Sequence, residues 1–385
     1  MNKKVYVLIL CFLLIIAMLI SVLVSTPKVV SVSAENSSAV SMCIIEANSK
    51  RVLLSKDMDK QLPMASTTKI MTALVALENC KDLDEEFNID NRASGIEGTS
   101  IYLQKNERLS MRELLYGLML ASGNDAACAI AYKVGNGNLE TFVDKMNLKV
   151  KQLNLQNTHF DNPHGLDSAN HYTSAYDLSV ITAKAMENET FKQIVNTKIK
   201  EISGNDKVKT RFVRNKHKLI GKDGCNGVKT GFTDNARRCC VTSVERNDLN
   251  FICVVLNCQD MFEETERLIN TADNTYKKQC VLEPYYMLNS VKVENGVKDN
   301  VKVYLQNGCY YPLKRDEKEK ISYEVNMKEI IKAPVSKEQK IGTIKVFLDD
   351  DLIFTEDVFT MENIAEKGVA DKIKDIIDKW YFNEI

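Results

Sequence analysis

Histidine and tryptophan are scarce in this sequence of 385 residues, which contains four His and one Trp. No H-E-x-x-H motif occurs, and His159, His164 and His171 lie near one another without a recognisable metal-site spacing. We interpret them as structural or loop residues, with a metal site as a minority alternative, and we expect no metal and no cofactor. The net charge is only −1, so electrostatics give no general reason to expect a nucleic-acid partner.

Paired cysteine motifs are absent as well: the eleven cysteines include no C-x-x-C, and their number is odd. Most of them lie within apolar runs, as Cys253 does between Ile252 and Val254. We interpret them as buried free thiols, which behave as small hydrophobic side chains, whereas pairing in an exported protein is the alternative. The length suggests two or three domains, and a chain of this size builds a hydrophobic core without a disulfide framework.

Charge is missing from residues 5–24, an apolar run that follows Lys3 and Lys4. Lysines before an apolar run are typical of a secretory signal, and residues 32–34 have the small-residue pattern of a cleavage site. The run is also long enough to span a bilayer, so a cleaved signal peptide and an N-terminal anchor both remain open for residues 1–34. Lysines on the N-terminal side keep that end in the cytoplasm, and we therefore expect an exported protein whose body is extracytoplasmic.

Ser66-x-x-Lys69 is the first motif of chemical interest, and an apolar run without Gly or Pro follows it as far as Leu77. The pattern predicts a helix that begins at or just before Ser66, with Lys69 one turn later on the same face. A serine hydroxyl is a weak nucleophile unless a base lies within hydrogen-bond reach. A lysine supplies that base if burial or a second cation lowers its pKa. Taken alone, the motif more often marks an ordinary capped helix with a surface lysine.

Two further motifs follow along the chain. Ser122-Gly123-Asn124 lies in a tight loop between two predicted apolar helices, residues 109–120 and 125–134. Lys229-Thr230-Gly231 precedes two predicted paired strands. The order and spread of the three motifs are those of penicillin-binding proteins and β-lactamases, and the three together are far more specific than any one of them.

Residues 39–276 resemble the low-molecular-mass penicillin-binding proteins of the peptidase S11 family, which act as serine D-alanyl-D-alanine carboxypeptidases. The resemblance extends beyond the three motifs to residues 98–103, 125–127 and 227–233. It implies an α+β fold, with a β-lactamase/transpeptidase-like catalytic domain in which helices flank an antiparallel sheet. The helix that carries Ser66 is expected at the centre of this domain, and the third motif on the strand that borders the cleft.

The resemblance also implies a role for each motif residue. Ser66 attacks the carbonyl between the two D-alanines that end a peptidoglycan stem peptide, which gives an acyl-enzyme. β-Lactam antibiotics such as penicillin acylate the same serine covalently. Lys69 is the expected base, although the group that takes the proton is disputed in relatives, and Ser122 relays a proton to the leaving amine. The expected substrate-binding residues, which hold the peptide backbone, the terminal carboxylate or the oxyanion, are Asn124, Lys229, Thr230, Gly231 and Phe232.

Beyond residue 283 the pattern changes to short alternating runs, which predict a small all-β domain. Residues 363–380 predict an amphipathic helix with apolar residues, Ala365 and Trp380 among them, on one face. This face suits either the outer face of the cytoplasmic membrane or the β domain itself. The expected domains are therefore a signal peptide or anchor (1–34), a catalytic domain (35–280), a small β-rich domain (281–361) and a C-terminal amphipathic helix (362–385).

Two residues depart from the family pattern. Met261 stands where the family often carries an Arg before a Phe, and Arg237 stands where a Gly is common. If that Arg helps to bind the substrate carboxylate, binding here is weaker or another cation serves it. Residues 207–222 are rich in Lys and Arg, and we interpret them as a solvated strand and loop in preference to a surface for an anionic partner.

Two other functions remain as alternatives. A β-lactamase shares the three motifs, but it must activate water for deacylation, and no convincing E-x-x-x-N element lies between the second and third motifs. A non-catalytic penicillin-binding sensor or wall-binding protein would need an intracellular segment for signalling, and only residues 1–4 are available for one. The carboxypeptidase is therefore the favoured function.

Overall fold

The computed structural model describes residues 32–33, 37–202 and 210–382. The predicted signal or anchor segment, residues 1–34, therefore lies outside the described residues except for Val32 and Ser33. The strands are β1 (Val32–Ser33), β2 (Ser41–Glu46), β3 (Val52–Lys56), β4 (Glu86–Asn88), β5 (Arg108–Ser110), β6 (Ile199–Ile202), β7 (Arg211–Arg214), β8 (Cys225–Thr233), β9 (Arg237–Arg246), β10 (Leu249–Leu256), β11 (Lys277–Leu282), β12 (Val291–Glu294), β13 (Asn300–Val301), β14 (Val303–Leu305), β15 (Cys309–Leu313), β16 (Ile321–Met327), β17 (Ile330–Lys332), β18 (Lys340–Leu348) and β19 (Asp351–Thr360). The helices are α1 (Lys69–Asn79), α2 (Met111–Tyr116), α3 (Asn124–Val134), α4 (Leu139–Gln152), α5 (Ala175–Ala185), α6 (Glu189–Asn196), α7 (Met261–Thr275) and α8 (Val369–Phe382).

The described residues form two compact units. The larger unit extends to Glu283 and also includes Cys309–Glu319. This segment belongs there because β15 pairs antiparallel with β11. The smaller unit comprises Pro284–Gly308 and the described residues from Lys320 onward.

The larger unit is built on a six-stranded sheet in the order β1-β3-β2-β10-β9-β8. Every pair is antiparallel except β1 with β3. Because side chains of a strand alternate between faces, Phe251, Cys253 and Val255 of β10 share a hydrophobic core with Leu268 and Ile269 of α7. The residues between them, Ile252 and Val254, are buried as well. Helix α5 packs on β10. The predicted α+β fold, with helices flanking an antiparallel sheet, is confirmed.

The first motif leads into a deeply buried helix of this unit. α1 is buried continuously from Lys69 to Ala76 and contacts α3, α4 and α5. Its Ala, Leu and Met residues favour a helix, and no Gly or Pro interrupts it. α2 begins with a capping box formed by Ser110 and Glu113, which satisfies backbone N–H groups at the helix start. Both helices were predicted from the sequence, and both are present.

Several elements of the larger unit were not predicted, and α6 and strand β6 are among them. α6 buries only Phe191, Ile194 and Val195, so its apolar pattern is too short to stand out. β6 and β7 form an antiparallel hairpin, in which exposed residues hide the usual alternation. The hairpin agrees with the strand and loop expected for residues 207–222, of which residues 207–209 lie outside the described part.

The smaller unit is all-β before its final helix, as predicted. It contains a four-stranded sheet in the order β14-β19-β18-β16 and a three-stranded sheet in the order β13-β12-β17. Val301, Val303 and Val358 are buried in this unit. Its hydrophobic core explains the alternating pattern of the sequence after residue 283.

The C-terminal helix begins later than the sequence predicted, so placing Ala365 on its apolar face was wrong. α8 starts at Val369, whereas Ile364 forms a β-bridge with Val335 and is buried. Ala365 O accepts a hydrogen bond from Val297 N at 3.0 Å. Residues that pair as strands cannot belong to a helix, so the helix follows Gly368. Across the described residues, no helix combines the length and the hydropathy that crossing a bilayer requires.

The cysteines in the described part of the chain are all free thiols. Burial raises the pKa of Cys43, Cys239 and Cys240 to about 12. A thiol with so high a pKa is almost never a thiolate and is therefore chemically inert. These cysteines act as small core residues, in agreement with the favoured interpretation of the sequence.

A buried ion pair attaches the segment after β15 to the rest of the larger unit. Arg51 Nη2 lies 2.6 Å from Glu317 Oε1, and only 10% and 8% of the two side chains are exposed. The Arg51 guanidinium also lies 5.2 Å from the ring centre of Tyr276 and 5.3 Å from that of Tyr311. Its Nη1 donates to Pro312 O at 2.5 Å. One side chain thus joins a strand end, a helix end and the β15 segment.

We expect Glu317→Ala to lower the free energy of unfolding by about 3 kcal/mol, because removing one partner leaves a buried charge without compensation. Urea unfolding followed by circular dichroism measures this. The matched control is Glu187→Ala, which removes an exposed ion pair of the same 2.6 Å length with Lys184 and should cost at most about 1 kcal/mol. Equal losses in the two variants would contradict the importance of the buried pair.

Candidate active site

Ser66 lies in a 3-10 turn, Ala65–Thr68, that leads directly into α1. Ala65 has a φ of 49°, a left-handed conformation that is uncommon for a residue with a side chain. Thr67 Oγ1 donates to Met64 O at 2.6 Å, and Thr68 Oγ1 donates to Ala65 O at 2.8 Å. These two threonine hydroxyls hold the turn that presents Ser66.

His171 supports the same turn from outside the motif. Its Nε2 lies 2.7 Å from Thr68 Oγ1, and its Nδ1 accepts from Asp161 N at 3.0 Å. Because the Thr68 hydroxyl hydrogen is already used by Ala65 O, the bond requires a proton on Nε2. Burial lowers the pKa of His171 to about 4, so the ring is a neutral structural group near neutral pH.

Lys69 Nζ is surrounded by three oxygen atoms: Ser66 Oγ at 3.0 Å, Asn124 Oδ1 at 2.7 Å and His164 O at 2.5 Å. Carbonyl oxygens only accept hydrogen bonds, so Asn124 and His164 each take one N–H of Lys69. Burial, and after it the charge of Lys229, lowers the pKa of Lys69 well below its usual value. A neutral amine has two N–H bonds and one lone pair, and the lone pair is then left for the Ser66 hydroxyl. This geometry suits Lys69 as a proton acceptor.

The orientation of the Asn124 amide is fixed by its own partners. Asn124 Nδ2 donates to Glu97 O at 2.6 Å, and Asn124 N donates to Thr99 O at 2.7 Å. Since the amide nitrogen is engaged with Glu97, the amide oxygen must face Lys69. Sequence reasoning left open whether Asn124 holds Lys69 or a substrate amide, and in this structure it holds Lys69.

The next residue, Asp125, organises the loop that borders Asn124. Its buried carboxylate accepts hydrogen bonds from Ser100 Oγ at 2.6 Å and from the backbone N–H groups of Ile101 and Leu103, each at 3.0 Å. Three residues of the segment 98–103, which contributes to the family resemblance, therefore bind one carboxylate. This carboxylate is fully used in holding the loop.

Ser122 is presented by an unusual backbone. α2 continues into a π-helical turn, Gly117–Ala121, which ends at Ser122 with φ 67° and ψ 34°. Turns of this kind are frequent at functional sites. The side chain is nearly buried, with 4% of the residue exposed, and the chain brings it to the start of α3 beside Asn124.

Strand β8 brings the third motif against the Ser66 turn. A Cβ atom on Gly231 would lie only 2.9 Å from Ser66 N and 3.0 Å from the Ala65 Cβ. A side chain here would push the strand away from the turn, so the close approach depends on glycine. Gly165 also allows a close approach to the Ser66 turn, because a Cβ on it would lie 1.9 Å from Ala65 O. Its φ of +93° likewise favours glycine.

Lys229 is a second buried lysine next to the first. It is 2% exposed, and its Nζ donates to Thr230 O at 2.8 Å. Burial, followed by the charge of Lys216, lowers the pKa of Lys229 to about 7. Thr230 is half-buried and the Phe232 ring is exposed at the end of the strand. The structure thus brings Ser66, Lys69, Asn124 and Gly231 into direct contact, with Lys229 coupled through its charge.

Both departures from the family pattern have a structural setting. Arg237 begins β9 with a φ of 56°, the left-handed conformation that favours glycine, which agrees with the Gly common at this position. Met261 is the first residue of α7 and belongs to the core between α7 and the sheet. Position 261 therefore supplies no cation.

Some features of the site have no signal in the sequence motifs. The carbonyl of His164 contacts Lys69 through its backbone, which no residue type encodes. His171 stands among the residues typical of the family, but its bond to Thr68 depends on a chain separation of 103 residues. In the part of the chain that the structure describes, no group of three or more His, Cys, Asp or Glu side chains is arranged to hold a metal ion.

Comparison with known proteins agrees with the geometry. Residues 28–260 match the family model Peptidase_S11, described as D-alanyl-D-alanine carboxypeptidase. Residues 276–366 match the model of the C-terminal domain of penicillin-binding protein 5. The two matches follow one another along the chain, as the catalytic and β-rich parts do.

Several full-length relatives are similar. The chain is 29% identical to D-alanyl-D-alanine carboxypeptidase DacF of Bacillus subtilis over 351 residues, which cover 89% of this chain and 90% of DacF. It is 28% identical to DacC of Escherichia coli over 364 residues, covering 90% and 89% of the two chains. The structure of penicillin-binding protein 5 from Haemophilus influenzae superposes with a TM-score of 0.71 at 27% identity, over 86% of this chain and 98% of that one. Because the first family model spans more than half of the sequence, the chain belongs to the Peptidase_S11 family of D-alanyl-D-alanine carboxypeptidases.

Proposed function

We propose that this protein is a serine-type D-alanyl-D-alanine carboxypeptidase that removes the terminal D-alanine from peptidoglycan stem peptides through an acyl-enzyme on Ser66. One observation carries the proposal: the buried amine of Lys69 lies 3.0 Å from Ser66 Oγ, and its two other hydrogen bonds are donated to Asn124 Oδ1 and His164 O. A hydroxyl beside a neutral amine is an activated nucleophile. Membership of the family supports the same reaction.

The proposed reaction begins with attack of Ser66 Oγ on the carbonyl between the two D-alanines. Lys69 takes the hydroxyl proton as the C–O bond forms, and the carbonyl oxygen becomes an oxyanion. The backbone N–H groups of Ser66 and Phe232 stabilise that charge, as oxyanion donors do in acyl transfer. The C–N bond then breaks, and the proton held by Lys69 reaches the leaving D-alanine amine through Ser122. Water attacks the remaining ester, regenerating Ser66 and releasing the shortened peptide.

The substrate-binding roles belong to the same proposal. Asn124 keeps Lys69 in place and lies next to the path of the substrate amide. Gly231 lets the substrate backbone approach β8, and Lys229 with Thr230 binds the terminal carboxylate. A peptide that ends in a free carboxylate at a D-residue satisfies these groups together, and a β-lactam places its own carboxylate and carbonyl in the same relation.

The β-lactamase alternative receives no support from the carboxylates near Lys69. A β-lactamase needs a general base that activates the deacylating water. Asp125, which follows Asn124, is engaged with Ser100, Ile101 and Leu103 and has no free oxygen face for a water. Slow deacylation of a penicilloyl group is therefore expected.

The first prediction from the proposed reaction concerns the nucleophile. Wild-type protein incubated with penicillin should gain the mass of one penicilloyl group, and peptide mapping should locate it on Ser66. Ser66→Ala should gain no mass, whereas Ser49→Ala, a serine in the turn between β2 and β3, should react like the wild type. An adduct on a different residue, or a wild type that neither reacts nor releases D-alanine from a D-Ala-D-Ala peptide, would refute the proposal.

The second prediction concerns Lys69. Only the neutral amine accepts a proton, so acylation should rise with pH through the lowered pKa of Lys69. Lys69→Ala should reduce acylation by about 10²–10⁴-fold, the usual value of general-base help. Lys69→Arg should fail as well, because a guanidinium stays protonated. Stopped-flow acylation by penicillin across pH measures both effects.

The control for these variants is Lys60→Ala, an exposed lysine six residues before Ser66, which should keep the wild-type rate and pH profile. Circular dichroism should show that Lys69→Ala remains folded. Acylation of Lys69→Ala at a rate near that of the wild type would mean that Ser122 or a bound water is the base.

For location, we propose that residues 1–34 direct export and that α8 rests on the outer face of the cytoplasmic membrane. Val369, Ile373, Ile376, Ile377 and Trp380 are all at least half exposed. Their spacing places them on one side of the helix, and an apolar side with an exposed Trp is typical of interfacial helices. We also keep the proposed domain bounds, 35–280 for catalysis and 281–361 for the β-rich domain, with the helix after them.

The third prediction concerns this helix. Protein lacking residues 1–34 should bind vesicles of phosphatidylglycerol and phosphatidylethanolamine, and deletion of residues 369–385 should reduce the sedimented fraction several-fold without changing hydrolysis of a soluble peptide. Ile376→Asn should weaken binding because it interrupts the apolar side, whereas Lys372→Asn, on the same helix, should have little effect. Equal binding of the truncated and the complete protein would show that α8 is not a membrane element.

A further inference from the structure

A cavity of about 530 Å³ lies in the larger unit, beside the end of α3 that is opposite to Asn124. Its walls come from β4 and the residues after it, from the turn before β5, and from the second half of α3 with the residues that follow. Cavities that bind small molecules usually measure about 300–1,000 Å³. The mechanism above uses none of the residues that line this cavity.

One arginine joins two walls of this cavity. Arg92 Nε and Nη2 donate to the carboxylate of Asp90 at 2.9 and 2.6 Å, and Nη2 also donates to Gly137 O at 2.8 Å. The guanidinium lies 4.2 Å from the ring centre of Tyr132, a cation–π contact. The residues after β4 and those at the end of α3 are therefore held together, and the cavity is preformed.

The lining of the cavity is rich in carboxamides. Four asparagines border it: Asn88, Asn91, Asn106 and Asn136. Within the part of the chain that the structure describes, no hydrogen bond engages the side-chain amide of Asn136 or the hydroxyl of Tyr132. A carboxamide both donates and accepts hydrogen bonds, so the lining suits a ligand that carries hydroxyl and amide groups.

Charge and aromatic surface narrow the class of ligand. The lining contains one carboxylate, Asp90, and one ammonium, Lys133, so it has no excess charge to attract an anion or a cation. Lys133 Nζ lies 4.5 Å from the ring centre of Phe87. Phe87 and Tyr132 both line the cavity, and aromatic rings supply the apolar contact area that suits the C–H faces of a sugar ring. A neutral, N-acetylated sugar satisfies all of these groups.

The cavity and the active site are joined through α3 and through the chain before it. α3 begins at Asn124, and Tyr132 follows eight residues later, which is about 12 Å along the helix. The chain that leaves the cavity at Asn91 reaches Glu97, whose carbonyl accepts from Asn124 Nδ2 at 2.6 Å. Four extended peptide residues span about 14 Å. The separation therefore matches a stem peptide between its sugar and the carbonyl that is attacked.

We infer that this cavity binds an N-acetylated amino sugar of the glycan to which the stem peptide is attached. The inference rests on the proposed function, because the stem peptide is what brings the sugar to the protein. The asparagine carboxamides pair with the sugar hydroxyls and the acetamido group, and the two aromatic rings contact the face of the sugar. The cavity thus favours a peptide that is still attached to glycan over the same peptide in free form.

The test compares two substrates with the same stem peptide ending in D-Ala-D-Ala. In one the peptide is linked to the disaccharide of N-acetylglucosamine and N-acetylmuramic acid, and in the other its amine carries only an acetyl group. Release of D-alanine gives kcat and KM for each. The wild type should have a KM about tenfold lower for the glycan-linked peptide, the effect of one or two hydrogen bonds. Its kcat should be similar for both, because contacts remote from the reacting bond bind the ground state and the transition state equally.

Asn136→Gly removes one carboxamide from the cavity. Asn136 has a φ of 52°, which glycine adopts without strain, so the backbone is retained. The variant should lose about fivefold of the KM advantage, the value of one hydrogen bond, and should hydrolyse the acetylated peptide as the wild type does. Asn154→Gly is the matched control, since Asn154 is an exposed asparagine with a φ of 56° outside the cavity. It should leave all parameters unchanged.

Equal KM values for the two substrates in the wild type would overturn the inference while leaving the carboxypeptidase proposal intact. An equal loss with both substrates in Asn136→Gly, or the same loss in Asn154→Gly, would overturn it as well. Saturation-transfer NMR with the peptide-free disaccharide tests the cavity without catalysis. Transfer should be clear for the wild type and for Asn154→Gly and weaker for Asn136→Gly, and a wild type without transfer would also overturn the inference. A wild type that releases no D-alanine from either substrate would defeat the proposed function, and the NMR result then decides for the cavity by itself.

Discussion

The organisation of the active site depends on a lysine amine that is buried without a counter-ion. Transfer of a charged ammonium into a protein interior is so unfavourable that the group loses its proton instead. Lys69 meets acceptors at Asn124 and His164, and the carboxylate of Asp125 is held by the backbone of residues 101–103. The Ser66 hydroxyl is the one remaining partner among these contacts, and it is the one that can donate to the amine. Burial therefore determines both the protonation state of Lys69 and the direction of its lone pair.

The two buried lysines differ in a way that suits two different tasks. The pKa of Lys69 is lowered well below its usual value, whereas the pKa of Lys229 is lowered to about 7. A group that must accept a proton is best neutral, and a group that must attract a carboxylate is best charged. An arriving carboxylate favours the protonated form of Lys229, and Lys229 then disfavours a proton on Lys69. In the proposed reaction, the separation of their pKa values, which is typical of acid–base sites, therefore increases when the substrate carboxylate binds at Lys229.

Sequence reasoning predicted the parts of this structure that depend on residue type and period. The buried helix after Ser66, the paired strands β9 and β10 and the order of the three motifs all follow from apolar spacing and from residues at fixed positions. Sequence reasoning failed where backbone geometry or long-range pairing determines the structure. Nothing in the residue type of His164 indicates that its carbonyl contacts Lys69. The start of α8 at Val369 depends on pairing of Ile364 with Val335, which overrides a continuous helical pattern. The functional roles assigned to the motif residues stay predictions.

The same burial that lowers the pKa of Lys69 disfavours the folded state at neutral pH. An unfolded chain holds a proton on this lysine up to about pH 10.4, whereas the folded chain releases it far lower. Where the unfolded state binds more protons, stability rises with pH, so below about pH 10 the neutral lysine costs stability, as Lys229 does over a narrower range. His164 and His171, with pKa values of about 3 and 4, are neutral in both states above about pH 6.5 and cost nothing there. Below about pH 6.5 they destabilise the folded state, because the unfolded state takes up protons first. Near neutral pH these two lysines therefore lower stability, whereas the two histidines do not, and the loss must be offset elsewhere, by the core around α1 and by pairs such as Arg51 with Glu317. A site of this kind is retained for its chemistry and not for its stability.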